Sequence, residues 1–389
     1  MDSLQFFTAF WERVKQTPHW ATMEKTVENS PWHREANVAV HTTMTIEAYK
    51  EKFFAIRTER QRVLTLMALL FHDFGKPEAE ETLEKKEEPG VFYRRYAGHE
   101  PISANVFLSF MCDQEELREM FFDQGFTWRD IRAIKVMIEH HLPYGLKNEQ
   151  KRQRQAHMID ATFGEDKVCF FDMLISDCWG RISDDHDTKK ANVLLWIDEF
   201  KAITWKERVV PEGAPTLVVM VGISGAGKST FIDNVGAEHR DVVFSEDKLR
   251  VEYYEAQLQG DAVVDYAIMS EAEKYQTAWT YCHMNKESKF DQYSWQNFLD
   301  ALDTRHDRVV LDRMNQSRKG RGKYIEAAKA KGYRVRTIEL FISEEKSKQR
   351  QKTRGDKSLP DHRVHQLAMQ LETPWLGAEV DEATIYIPS

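Results

Sequence analysis

Residues 222–230 read Gly-Ile-Ser-Gly-Ala-Gly-Lys-Ser-Thr. The order G-x-x-x-x-G-K-[ST] suits one chemistry, the cradling of a nucleotide's phosphates. Gly222, Gly225 and Gly227, with Ser224 between them, let backbone N–H groups curl around the anions. Lys228 reaches the β- and γ-phosphates, and the Ser229 hydroxyl, followed by Thr230, is offered to Mg²⁺. A helix starting near Lys228 points its positive dipole end at the same phosphates. Farther on, Asp247 and Arg250 form a D-x-x-R pair. The carboxylate can take a proton from an attacking hydroxyl as a general base, and the arginine can hold a phosphate on the acceptor. The plain alternative is a helix cap and a solvated arginine. Asp312, in LDRMN, is a candidate Mg²⁺ or water-shell ligand beside Asn315. Arg350 and Arg354 lie four residues apart, on one helix face, able to close over a nucleotide. Phosphoryl transfer needs such positioned positive charge more than it needs covalent chemistry.

A second chemistry is written upstream in His41, His72-Asp73, His99, His140-His141 and Asp177. Imidazoles mixed with carboxylates suit Mn, Fe, Co, Ni or Zn better than Mg or Ca. No thiolate sits at ligand spacing, which argues against a structural zinc finger. Adjacent helical residues diverge by about 100°, so of His72 and Asp73 one can face one metal while the other bridges to a second.

Behind these residues stand two textures. Up to about residue 203 the chain reads as nearly all helix. Val63, Leu64, Met67, Leu70, Phe71 and Phe74 recur at helical spacing, as do Ile131, Ile134, Met137 and Ile138, with Pro143 as the stop. The acidic stretch 78–89 reads as a surface excursion. Val210-Pro211-Glu212-Gly213-Ala214-Pro215 reads as a linker. Beyond it, short β-branched runs at 216–221, 241–245, 308–312 and 333–341 alternate with helical stretches. That alternation implies a mainly parallel sheet with ligands at the strand C-termini. The expected organisation is an all-α domain at 1–208, a linker at 209–215 and an α/β P-loop domain at 216–389.

Composition narrows the class. The 389 residues exceed one ordinary core, and 42% hydrophobic with 30% charged is a globular balance. No apolar run reaches membrane-spanning length. The N-terminal stretch carries acidic Asp2 and no small-residue cleavage site, so a signal peptide is not expected. Scattered Cys112, Cys169, Cys178 and Cys282 read as reduced thiols of a cytoplasmic protein. A net charge of −9 argues against a non-specific nucleic-acid coat. Local basic grooves stay open at Arg313–Lys323 and Lys346–Lys357, whereas Lys151–Arg154 reads as a solvated helix face.

The order H…HD…H…HH…D, with the words NVAVHT, FHDFGKP, YAGHEPISA and LISDCWGR around it, resembles the HD phosphohydrolase superfamily. The resemblance implies one or more divalent metals that activate water against a phosphoester, with Asp73 as the bridging ligand. It leaves open which of His140 and His141 is a ligand and which a substrate contact. Lys76 and Arg181 become candidate phosphate clamps, Arg181 equally a helix-capping cation. His33 and Glu35 become secondary candidates for the substrate pocket. The set GISGAGKST, Asp247-x-x-Arg250, LDRMN and Arg350-x-x-x-Arg354 resembles the 5′-hydroxyl polynucleotide kinases. That implies ATP and Mg²⁺ on Lys228 and Ser229, Asp247 as general base, Arg250 on the acceptor's 3′-side phosphate, and Arg354 on the transferring phosphoryl group. The stretch from Val251 to Asp307, aromatic-rich and helical in texture, maps to no motif; acceptor preference is expected there.

In this order the two regions resemble the bifunctional HD-type polynucleotide kinases. The resemblance implies nucleic-acid end healing: a kinase that makes a 5′-phosphate, and an HD module that removes a 2′,3′-cyclic, 2′- or 3′-phosphate. RNA or DNA ends would be the partners, with a ligase downstream. Two other readings stand beside it. One is a small-molecule or nucleotide-sugar kinase fused to a nucleotide phosphohydrolase. The other is a nucleotide-sensing regulator without catalysis. Basic segments near Arg318 and Lys346 would bind the oligonucleotide under the first reading and not under the alternatives.

Overall fold

The structure, a computed structural model, describes residues 2–86, 88–142, 148–239, 242–285, 287–304, 307–354 and 358–388, with backbone only at 235–239. Pro143, Asp241 and Lys357, each used above as a boundary, lie outside the described residues. The chain divides into two compact units, Met1–Lys206 with Trp375–Ala378, and Glu207–Pro374 with Glu379–Ser389. No described helix is long and apolar enough to cross a membrane.

The first unit is built around the helix Glu59–Phe71. A reciprocal cap starts it: the Thr58 hydroxyl accepts from the Gln61 amide, and the Gln61 side chain accepts from the Thr58 N–H. From Val63 to Phe71 every residue is buried, so the helix is enclosed on all sides rather than amphipathic. Helices Ser3–Val14, Val38–Lys52, Trp128–Glu139 and Lys167–Trp179 pack around it. Phe71 meets Phe10, Phe74, Phe107 and Phe110 with ring centroids 4.6–6.4 Å apart. Truncating such a ring to alanine costs about 3–5 kcal/mol.

Two glycines set the close approaches that matter for chemistry. A Cβ on Gly75, in the turn after Asp73, would lie 2.3 Å from Ser103 N and 2.9 Å from His99 O. A Cβ on Gly180, just past Asp177, would lie 2.5 Å from Thr45 Cα on the His41 helix. Only glycine lets the Asp73 turn touch the His99 helix and the Asp177 helix touch the His41 helix.

The unit is not entirely helical. Strands β1 (Val27–Ser30) and β2 (His33–Asn37) pair antiparallel, as do β3 (Glu81–Glu84) and β4 (Phe92–Arg95). The acidic stretch read as a surface excursion therefore holds part of a hairpin. The β1–β2 hairpin escapes hydrophobic patterning because its inward residues are Glu28, Ser30 and Glu35. Period two is present, but in burial and not in apolarity.

In the second unit, β5 (Thr216–Val221), β6 (Val242–Ser245), β7 (Arg308–Asp312), β8 (Arg334–Leu340) and β9 (Glu382–Tyr386) form one sheet in the order β6-β7-β5-β8-β9. Every pair is parallel. The buried central strand β5 delivers the phosphate loop at its C-terminal edge, where an open α/β sheet binds ligands. Strand β9 was not anticipated. It is a half-buried five-residue edge strand with a mixed sequence, EATIY.

Candidate functional sites

The helical unit gathers six of its expected residues in one buried cluster. His41 comes from the helix Val38–Lys52, and His72 and Asp73 from the end of the central helix. His99 opens its own helix, His141 follows Trp128–Glu139, and Asp177 lies near the end of Lys167–Trp179. Asp73 divides its two oxygens. Oδ2 lies 3.1 Å from His72 Nε2 and 3.5 Å from His41 Nε2, while Asp177 Oδ1 is 3.0 Å from His41 Nε2. Oδ1 lies 3.0 Å from His99 Nε2 and 3.8 Å from His141 Nε2. Two metal-sized triads, His41–His72–Asp73 and Asp73–His99–His141, therefore share one carboxylate.

Backbone carbonyls fix which ring nitrogens face inward. His72 Nδ1 donates to Leu69 O, His99 Nδ1 to Tyr96 O and His141 Nδ1 to Ile138 O, each at 2.7 Å. A carbonyl only accepts, so in the neutral rings every Nε2 carries its lone pair. His99 Nε2 and His141 Nε2 nonetheless face each other at 3.1 Å. Opposed lone pairs at that range repel unless a cation lies between them. The residues present thus fit a divalent metal, and the imidazole–carboxylate donor set fits a transition metal.

The charges are balanced inside the cluster. Burial works against an ionised Asp73, yet His72 and Lys76 hold its carboxyl well below the usual range. Burial likewise opposes Asp177, and Arg181 with His41 overrules it. His141 is pushed down to about 3 by burial and by the neighbouring His99 and His72. His41 rises to about 10: burial opposes the charged ring, but hydrogen bonds to Asp177 and Glu35 prevail.

His140 does not join the cluster. The helix ends at Glu139, consecutive side chains diverge, and the His140 ring reaches the Glu139 carboxylate at 3.7 Å instead. Lys76 and Arg181, read as phosphate clamps, are buried against carboxylates. Lys76 pairs with Asp73 at 2.7 Å and with Glu28, and Arg181 Nη2 donates to both Asp177 oxygens at 2.9 and 3.0 Å. A substrate phosphate would have to share them. His33 and Glu35 lie on β2 beside His41, and His33 Nδ1 sits 2.8 Å from Glu28 Oε2. Glu28 was missed because a lone Glu in VENS carries no motif; only the hairpin register turns it inward.

The second unit holds a cavity of about 1000 Å³ at the C-terminal edge of the sheet. Gly225 and Gly227 adopt φ of 82° and 86°, which a side chain resists. A Cβ on Gly222 would press on Ala226 and Leu340 at 3.2 Å. Lys228 begins the helix Lys228–His239, and its ammonium donates to Gly222 O and Ile223 O, both at 2.9 Å. Burial pushes this lysine down to about 8, against the pull of Asp312. Ser229 and Thr230 are exposed at the cavity. Asp312 ends β7, paired in register with Ser245 of β6, and burial raises its carboxyl. With the Ser229 hydroxyl and the Asp312 carboxylate on one cavity wall, the donor set fits Mg²⁺ accompanying a nucleotide.

Asp247 lies in the first turn of the helix Glu246–Glu255 and Arg250 opens the second, and both line the cavity. Arg250 donates to Asp247 Oδ1 at 2.6 Å and to Glu246 Oε2 at 3.0 Å. Tyr275, which no motif singled out, donates to the same Asp247 oxygen at 3.2 Å. Arg354 donates to Ser224 Oγ at 2.9 Å and Arg350 to Gly225 O at 3.2 Å, so this pair already rests on the phosphate loop.

Asn315 lines the cavity and holds its strands together: it is buried with φ of 48°, and its amide donates to Met220 O and Leu311 O, tying β5 to β7. One expectation needs correction. The basic run Arg313–Lys323 is not a free cationic stripe. Arg321 is fully buried against Glu379 at 2.6 Å, Arg318 is bonded to Glu372 at 2.8 Å and Arg313 to Glu246 at 3.0 Å. In the other run, Lys348 pairs with Glu344 and Lys346 caps Pro388 O.

A family model described as an AAA domain matches residues 217–374. The match supports a P-loop, nucleotide-binding, kinase-like domain in the C-terminal part of the chain. No curated protein matches the sequence.

Proposed function

We propose that the protein heals broken nucleic-acid ends with two separate centres, a phosphoesterase in the helical unit and a 5′-hydroxyl polynucleotide kinase in the α/β unit. One observation carries the reading. A single chain holds both a dinuclear-type His–Asp cluster and a phosphate-loop cavity with a carboxylate on its acceptor side. Strand cleavage that leaves a 5′-OH and a 2′,3′-cyclic phosphate creates one need for each.

In the kinase cavity, Lys228 and the loop amides hold the triphosphate, and Ser229 and Asp312 would hold Mg²⁺. The 5′-OH attacks the γ-phosphorus in line, Asp247 takes its proton, and ADP leaves. Arg354 stands by the loop to offset charge on the transferring group, and Arg250 holds Asp247 or an acceptor phosphate. In the helical unit, His41, His72, Asp73 and Asp177 would hold one metal and Asp73, His99 and His141 a second. Such a pair supplies Lewis acidity and lowers the pKa of water for attack on a phosphoester. Glu35 orients His41, Arg181 orients Asp177, and Lys76 orients Asp73.

The test uses a short RNA bearing a 5′-OH and a 2′,3′-cyclic phosphate, incubated with labelled ATP, Mg²⁺ and each of Mn²⁺, Ni²⁺ and Co²⁺. Label at the 5′ end together with loss of the 3′-terminal phosphate is the expected result. Protein that binds ATP yet changes neither end contradicts the reading.

A further inference from the structure

We infer that one face of the helix Glu271–Met284 is a stacking wall for the terminal nucleobases of the acceptor strand, with Trp279 at its centre. The inference rests on the kinase reading above and adds the acceptor subsite to it.

The helix opens with a capping box, Ser270 with Glu273, and packs against the helix that carries Asp247 and Arg250. Tyr275, Trp279 and His283 follow at i, i+4 and i+8, one stripe on one face. Aromatics at that spacing ordinarily form core. Here the only buried residue of the helix is Ala278, whereas all three aromatics line the cavity. Trp279 is 37% exposed. His283 stacks on it at 4.2 Å and 19°, and its Nδ1 bonds Trp279 O at 2.9 Å, so the two rings form a stiffened, nearly parallel stack.

The stripe has a direction. It begins at Tyr275, whose hydroxyl donates to Asp247, the carboxylate read as the base for the attacking hydroxyl. Arg350 and Arg354 bond the phosphate loop, at Gly225 O and Ser224 Oγ. The backbones of Tyr275 and Trp279, four residues apart, are separated by about 6 Å of helix rise. That is about the reach from a 5′-oxygen across its ribose to the attached base. A terminal nucleoside with its 5′-OH at Asp247 therefore brings its base to Trp279, and the next base toward His283. Met314, 39% exposed on another part of the cavity wall, offers a flexible apolar counter-surface. Stacking accepts any base, because every base has a π-face, and it supplies contact energy without cationic side chains. This accounts for how an acceptor groove can work while Arg313, Arg318 and Arg321 are spent on internal ion pairs.

The experiment measures steady-state kinase kinetics on two 5′-OH oligonucleotides, one intact and one with an abasic 5′-terminal residue. For the wild type, the abasic end is expected to raise acceptor KM by about ten- to a hundred-fold, the range of one stacked base. Trp279→Ala should raise KM for the intact strand by a similar factor and no longer distinguish the two strands, with KM for ATP unmoved. Trp279→Phe should restore most of the difference. Equal KM for both strands with the wild type overturns the inference without any variant. A Trp279→Ala protein that discriminates as sharply as the wild type also overturns it. If the wild type phosphorylates no polynucleotide at all, the kinase reading itself falls and takes this subsite with it; labelling without base dependence sinks the subsite alone.

Discussion

The two centres differ most in how they handle water. In the helical unit His41 is fully buried and Asp73 is 1% exposed, and each inward carboxylate faces a fixed cation, Lys76 for Asp73 and Arg181 for Asp177. In the α/β unit the Asp247 side chain is about half exposed, at 49%, and its partners are Arg250 on the same helix and Tyr275 on the helix Glu271–Met284. A closed site has to compensate its charges in advance, because an unpaired buried ion is strongly disfavoured. An open groove can leave that to the substrate. A small ion fits the first arrangement, and a large ligand that carries its own charge fits the second.

Metal removal should separate the centres most sharply. Chelation followed by Mg²⁺ alone should abolish phosphoester hydrolysis and leave 5′ phosphorylation intact; end-labelling and 3′-end mapping on one RNA check both. Next in size, Asp247→Asn should lower kinase kcat by about 10²–10⁴-fold, the range for loss of a general base, without changing hydrolysis. Glu35→Gln should then weaken metal binding by about 10–100-fold, as read by competition with a chelator, because the carboxylate behind His41 is lost.

The smallest effect concerns pH in the open site. Lys228 sits near 8 in the nucleotide-free protein, below its ordinary 10.5, because of burial. Bound phosphates favour the charged form, so above about pH 8 binding takes up a proton. ATP affinity should be flat below pH 8 and fall above it by up to about tenfold per unit. Stability of the free protein should move the other way. The unfolded chain keeps the Lys228 proton up to 10.5, so this lysine's destabilising effect is full below about 8 and fades as pH rises. Equilibrium binding and thermal unfolding between pH 7 and 10 measure both slopes, and Lys228→Arg should flatten them.

Much of this arrangement was legible in the sequence, for reasons that differ by residue. The phosphate loop reads directly because strand, glycines, lysine and helix are contiguous, and β5 and β7 fall on the apolar runs expected at 216–221 and 308–312. The His–Asp cluster reads as a set because the order H…HD…H…HH…D on a helical background is rare by chance. What escaped was whatever tertiary contact alone decides. The β1–β2 hairpin hides because its inward residues are charged. Glu28 and Tyr275 hide because each is one residue of a common type, aimed by packing. His140 and His141 cannot be told apart until the helix is seen to end at Glu139. The basic run at 313–323 looked like a groove because sequence shows the arginines but not Glu372 and Glu379, which return from far along the chain to pair with them.

The central claim is that two independent centres act on opposite ends. The most direct measurement compares Lys228→Ala with Asp73→Ala on one RNA bearing a 5′-OH and a 2′,3′-cyclic phosphate, with folding of both variants checked by circular dichroism. The account predicts that Lys228→Ala opens and clears the 3′ end while leaving the 5′ end unlabelled, and that Asp73→Ala does the reverse. A folded variant of either kind that loses both activities, or neither, contradicts it.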